Sequence, residues 1–128
     1  MHKGRCECGA VAFEVAGDLA PPTICHCSQC RRLSGHVWAG SWGQVADLSF
    51  TRDDGLKWYA SSDWAERGFC SDCGASLFYR LKGDDARISV AAGCLDQPTG
   101  LTAYRHIYVK DKGDYYDIAD DLPQLEEY

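Results

Sequence analysis

Three of the six residues in Cys25-His26-Cys27-Ser28-Gln29-Cys30 are cysteines, a density that ordinary packing does not require. The run joins a Cys-x-Cys to a Cys-x-x-Cys, so three sulfurs can converge on one ion from a single turn of chain. Two flanking pairs, Cys6/Cys8 and Cys70/Cys73, supply four more thiols and form a second candidate set. A four-sulfur site is closed, whereas a three-sulfur site leaves one coordination position for chemistry. Thiolates select a soft-to-borderline metal, so zinc is the expected cofactor, with two ions per chain. Which pairs share an ion does not follow from spacing alone, because Cys27/Cys30 is itself a Cys-x-x-Cys pair.

The alternative use of eight cysteines is a disulfide framework. The segment Met1-His2-Lys3-Gly4-Arg5-Cys6 reaches a candidate ligand before any apolar targeting region forms. A cytoplasmic location is therefore expected, where thiols stay reduced. Cys6/Cys8 and Cys25/Cys27 are also too close to bridge internally without strain. The formal net charge of −6, made more negative by thiolates, argues against a nucleic-acid partner despite the finger-like spacings. No apolar run approaches the roughly 20 residues of a membrane span, so no membrane partner is expected.

At 128 residues the chain reads as a single domain, residues 1–128. Val11, Phe13 and Val15 alternate with smaller or polar residues, the period of a half-buried strand after the first cysteine pair. Gly9, directly after the first cysteine pair, allows a tight turn around a metal. Further short strands are expected at 36–42, with Trp38 and Trp42 on one face, and at 48–51, 56–60, 66–69, 75–81, 87–92 and 103–109. Asp53-Asp54-Gly55 and Ser61-Ser62-Asp63 supply turns between them. One helical turn is expected after Cys30, stopped by Gly35, and a short turn near Ile118–Leu122. No 12-residue stretch keeps a helical period. The expected fold class is mainly β, short antiparallel strands held by zinc knuckles with little helix.

The central question is whether a fourth protein ligand closes the 25–30 cluster. His26, His36, Cys94 and His106 are the candidates. In an extended segment the His26 side chain projects away from its two cysteine neighbours. Cys94 follows a strand and is the stronger rival, although a lone cysteine more often packs as a small hydrophobe. Arg31 and Arg32 directly follow the cluster. They are either solvated partners of the acidic residues or guanidinium donors to a substrate carboxylate. The four tryptophans and seven tyrosines are mainly sheet-face residues, some available to wall a groove.

The ordered pattern Cys6-x-Cys8-Gly9, Cys25-His26-Cys27-x-x-Cys30-Arg31-Arg32-x-Ser34-Gly35, then Phe69-Cys70-x-x-Cys73-Gly74 resembles the glutathione-dependent formaldehyde-activating family. Ala92-Gly93-x-Leu95-Asp96, His106-Ile107-Tyr108-Val109-x-Asp111-Lys112 and Asp120-Asp121-Leu122-Pro123 extend the likeness over almost the whole chain. The resemblance implies an Mss4-like complex β fold. It also implies that Cys6, Cys8, Cys70 and Cys73 form the structural zinc site and Cys25, Cys27 and Cys30 the site associated with catalysis. Tyr115-Tyr116, where many relatives carry tryptophan, and Cys94 depart from the family pattern.

The expected activity is that of a zinc-dependent carbon–sulfur lyase or synthase acting on a thiol–aldehyde adduct. The family resemblance implies glutathione and formaldehyde as partners, giving S-(hydroxymethyl)glutathione, or a related thiol adduct. In that reading Cys25, Cys27 and Cys30 carry the chemistry and Arg31 or Arg32 engages a glutathione carboxylate. The alternative is a non-catalytic zinc-stabilised binding module of Mss4-like fold, which requires a closed second site and an exposed apolar patch. A zinc buffer or thiol redox sensor is a third use of the same ligands.

Overall fold

A computed structural model describes residues 1–128. Ten strands form two sheets. β1 (His2–Arg5), β2 (Ala12–Val15) and β5 (Leu48–Arg52) make a three-stranded sheet in the order β1-β2-β5. The larger sheet contains β3 (Thr23–Cys25), β4 (Trp38–Gln44), β6 (Leu56–Tyr59), β7 (Ala65–Cys70), β8 (Ser76–Leu81), β9 (Arg87–Ala91) and β10 (Arg105–Ile107). Their order is β10-β3-β4-β9-β8-β7-β6. The mainly β expectation holds, and the strands lie close to the expected positions.

Three features differ from the sequence expectation. β1 and β3 are additional strands, too short and too polar to carry a period of their own. Their pairing supplies what the pattern lacks: β1 closes on β2, and β3 sits between β4 and β10. The β3–β10 pair is parallel, matching Cys25 with Ile107 across 82 residues of sequence. The helical turn is longer than expected, running as α1 over Ser28–Ser34 and ending at Gly35. Its N-cap is Cys27, whose sulfur accepts the Cys30 backbone N–H at 3.2 Å in place of the usual oxygen cap.

The core has two parts. The larger joins the two sheets through Val11, Phe13 and Val15 on one side and Leu77, Phe78, Ile88 and Val90 on the other. Phe78 is fully buried, with Phe13 edge-on at 5.1 Å and Trp58 stacked at 6.1 Å between ring centres. Such aromatic pairs add about 0.5–1.5 kcal/mol beyond the area they bury. The smaller part contains Cys25, Cys30, Trp38, Ala91 and Ile107. Cys6 and Cys70 belong to the larger part, so each cysteine set is seated in its own apolar cluster. Residues 123–127 run beside β10, with Leu125 N–H donating to His106 O at 2.9 Å and His106 N–H to Pro123 O at 2.8 Å. No helix is long and apolar enough to cross a membrane.

Candidate active site

The Cys6–Cys8 and Cys70–Cys73 loops are the same device used twice. Each begins with a cysteine backbone N–H closing on the carbonyl five residues later, Cys6 on Val11 at 2.9 Å and Cys70 on Ala75 at 3.0 Å. Gly9 (φ 84°) and Gly74 (φ 81°) turn each loop back in the left-handed region, where a side chain is disfavoured. Gly55 ties the two together, donating to Ala10 O at 3.1 Å and accepting from Ser71 N–H at 2.7 Å. The Cys8 backbone N–H, followed by that of Ala75, draws the Cys73 thiol down to about 6. Sulfur ligands about 2.3 Å from zinc lie about 3.8 Å apart in a tetrahedron. Cys6 Sγ to Cys8 Sγ and Cys8 Sγ to Cys70 Sγ are each 3.8 Å, and all four sulfurs lie within 4.8 Å of one another. The donor set fits a closed zinc site.

Cys25, Cys27 and Cys30 form the second set, also within 4.8 Å of one another. Cys25 ends β3, Cys27 caps α1 and Cys30 lies in its first turn, so a strand end and a helix start meet at one point. Cys27 is held far below the usual thiol range by hydrogen bonds from Cys25 and Cys30 and by the Cys30 and Gln29 N–H groups. Cys25 is correspondingly pushed up. One sulfur in the cluster is thus already favoured as thiolate, the form that ligates metal.

None of the four candidate closing ligands joins this set. Cys94 donates to Ser76 O at 3.9 Å and packs against both core clusters. Burial, with the nearby Cys6 and Cys73 charges, pushes its thiol up to about 11. His36 is exposed and bonded to Tyr115 Oη at 2.8 Å. His26 turns away from the sulfurs, as an extended segment requires, and meets His106, with Nε2 to Nδ1 at 2.8 Å. His106 Nε2 lies 3.0 Å from both Asp120 oxygens, and Tyr116 Oη reaches His26 Nδ1. A carboxylate only accepts, which assigns the chain. Tyr116 O–H donates to His26, His26 Nε2–H to His106, and His106 Nε2–H to Asp120. Burial first, then the His106, His36 and Lys112 charges, lowers His26 to about 4 and keeps it neutral for this role.

The three sulfurs open on a cavity of about 760 Å³, walled by β3, β4, β7, β8 and β9. Trp38 and Trp42 both line it, as their shared strand face predicts. Arg31 is half-buried and Arg32 exposed on α1, and neither lines the cavity. The guanidinium beside the sulfurs belongs to Arg67, only 6% exposed. Its Nη2 donates to Cys30 Sγ at 3.3 Å and its Nε to Gln29 Oε1 at 3.1 Å, while its plane packs 5.0 Å from the Tyr79 ring centre. Arg67 was detectable in principle. It shares strand parity with Ala65, so the β7 pattern turns a charged residue inward.

The sequence model of the family described as glutathione-dependent formaldehyde-activating enzyme matches residues 1–111. The chain belongs to that family. A protein of Schizosaccharomyces pombe named as an uncharacterised lyase is 26% identical over 122 residues, covering 92% of this chain and 85% of its own. The crystal structure of a Rhodobacter sphaeroides protein superposes with a TM-score of 0.59 at 29% identity. That match covers 74% of this chain and 88% of the other. The family match includes both cysteine sets, Arg67 and His106, and ends at Asp111, before Tyr116 and Asp120.

Proposed function

We propose that this chain is a zinc-dependent carbon–sulfur lyase that interconverts a thiol and an aldehyde with their S-(hydroxyalkyl) adduct. Glutathione with formaldehyde is the pair described by the family name. The observation that carries the reading is a three-sulfur set with no fourth side-chain ligand, opening on a cavity of about 760 Å³. The lyase name of the S. pombe relative supports the same class. Cys25, Cys27 and Cys30 would hold the catalytic-type zinc, and Cys6, Cys8, Cys70 and Cys73 the structural one. When bound, zinc at the first set supplies a lowered thiol pKa and a polarised aldehyde oxygen.

In the synthetic direction the carbon–sulfur bond forms, the carbonyl π bond breaks and the thiol proton ends on the new hydroxyl. The reverse step returns that proton to sulfur. Arg67 offsets negative charge on the trithiolate set and holds Cys30 in place through its N–H···S bond. The buried Trp38 and Ile107 screen the sulfurs from bulk water, which strengthens that interaction. The cavity converts a bimolecular addition into a local one by holding both reactants against the sulfurs. Arg31 and Arg32 stand outside the cavity lining, so a carboxylate contact with either belongs to a substrate part that extends beyond it.

The test is the exchange rate between glutathione and formaldehyde, measured by NMR with zinc-loaded protein and with Cys27→Ser. The wild-type chain accelerates exchange and the variant does not. Exchange no faster with wild-type protein than in buffer would reject the lyase reading and leave the binding-module alternative.

A further inference from the structure

The cavity has far more room than formaldehyde alone needs, and its wall is rich in aromatic side chains. About 760 Å³ lies within the roughly 300–1,000 Å³ range that encloses drug-sized ligands. Formaldehyde brings one carbon. Trp38, Trp42 and Tyr79 form the inner wall, with Trp42 and Tyr79 edge-to-face at 6.0 Å. Trp64 stands at the rim, in the turn between β6 and β7, with 66% of its surface exposed. A tryptophan that exposed leaves a large apolar surface in water, a cost recovered when a ligand covers it.

The cations of the same lining are partly committed. Arg67 uses Nε on Gln29 and Nη2 on Cys30. Arg87 donates to Asp84 at 3.0 Å and covers the Trp42 ring at 5.1 Å. Asp111 adds a negative charge to the lining. A peptide thiol such as glutathione carries two carboxylates, and of the two guanidiniums in this wall Arg87 is already paired with Asp84 while Arg67 keeps only its buried Nη1 without a partner. The largest apolar side chains of the lining are aromatic: Trp38, Trp42, Trp64 and Tyr79.

From this lining we infer that the aldehyde-derived part of the substrate carries a ring-sized apolar substituent. That group lies between Trp42 and Trp64, while the polar thiol moiety points to solvent. The inference rests on the lyase reading for its reaction: the thiol sulfur adds to the carbonyl carbon, and the thiol proton ends on the resulting hydroxyl. It differs from that reading in the partner, a phenyl- or similarly substituted aldehyde in place of a one-carbon one. Trp64 is then a specificity-determining residue.

Binding and turnover test this separately, using the zinc-loaded full chain. Tryptophan fluorescence titration compares S-benzylglutathione with S-methylglutathione, which are inert thioethers that differ only in the apolar group. Burying a phenyl group on this wall gives S-benzylglutathione about tenfold or greater preference. Trp64→Ala reduces that preference several-fold, with the loss falling mainly on S-benzylglutathione. NMR exchange with phenylacetaldehyde then gives a KM well below that for acetaldehyde, and Trp64→Ala raises the first KM more than the second. Affinities within twofold for the two thioethers, or equal losses of both in Trp64→Ala, overturn the inference. Formaldehyde exchange is the separate arm: its absence rejects the one-carbon reaction without altering the thioether result.

Discussion

Replacing Arg67 with methionine keeps an unbranched, mostly apolar side chain in β7 but removes the one guanidinium that touches the trithiolate set. Two hydrogen bonds disappear, Nη2–H to Cys30 Sγ at 3.3 Å and Nε–H to Gln29 Oε1 at 3.1 Å. Bonds from a charged donor contribute about 1.5–3 kcal/mol each. Part of the loss is offset, because Nη1 is buried without a partner and its desolvation cost disappears with it. A net loss of about 2–4 kcal/mol in stability follows. Outer-shell changes of this kind lower metal affinity about 10–100-fold, equivalent to about 1.4–2.7 kcal/mol. The assay is zinc release to a competing chromogenic chelator, read as two steps, beside denaturant unfolding of the loaded protein. In Arg67→Met the weaker step moves by the stated factor and the tighter, four-sulfur step does not, because Arg67 touches none of those ligands. Arg67→Lys keeps the charge without the planar fork and falls between the two. Unchanged release and unchanged stability would refute the coupling. Equal weakening of both steps would show general unfolding instead.

Cys94→Ala is expected to leave two zinc ions per chain and cost about 1 kcal/mol through packing, since its thiol serves both core clusters and no ligand set. One zinc after this change would make Cys94 a ligand. Cys70→Ser should abolish the tight zinc and cooperative unfolding together, because Cys70 is fully buried in the larger core. Retention of both would separate that site from folding. Asp120→Ala removes the acceptor of the His106 Nε2–H and is expected to lower the unfolding midpoint, largely restored in Asp120→Asn, whose amide oxygen still accepts. His26 has a folded value of about 4 against 6.5 for a free imidazole, so the fold favours its neutral form. Its contribution to stability is therefore complete above pH 6.5 and declines as pH falls toward 4. Imidazole NMR of the zinc-loaded protein should show His26 neutral at pH 5. A protonated ring there would overturn the donor assignment through His26 and His106.

Several strands were readable because their period is local. Val11, Phe13 and Val15 alternate and are buried, and Trp38 and Trp42 share a face that became a cavity wall. β3 was not readable, because Thr23-Ile24-Cys25 has no pattern of its own and gains its hydrogen bonds from β4 and β10. β1 was missed for the same reason, pairing with β2 through four residues that show no buried run. The cation that lines the cavity is not legible from proximity in sequence. Arg31 and Arg32 adjoin the cysteines in sequence, but α1 carries them away from the cavity lining, whereas Arg67 arrives from β7.

The sequence by itself determined which residues can bind metal, because Cys-x-Cys and Cys-x-x-Cys spacings limit how far apart their sulfurs can lie. It also placed His26 on the side of its segment opposite the neighbouring cysteines, a consequence of strand alternation. The tertiary structure brings the sulfurs of Cys6/Cys8 and Cys70/Cys73 together, as the family resemblance implied, and it alone decided that Cys94, His36 and His106 leave the other three sulfurs as a separate set. It alone brought Arg67 to Cys30 and Asp120 to His106. Those contacts depend on which strands become neighbours, and strand order is set by burial summed over the whole sheet rather than by any short stretch of chain.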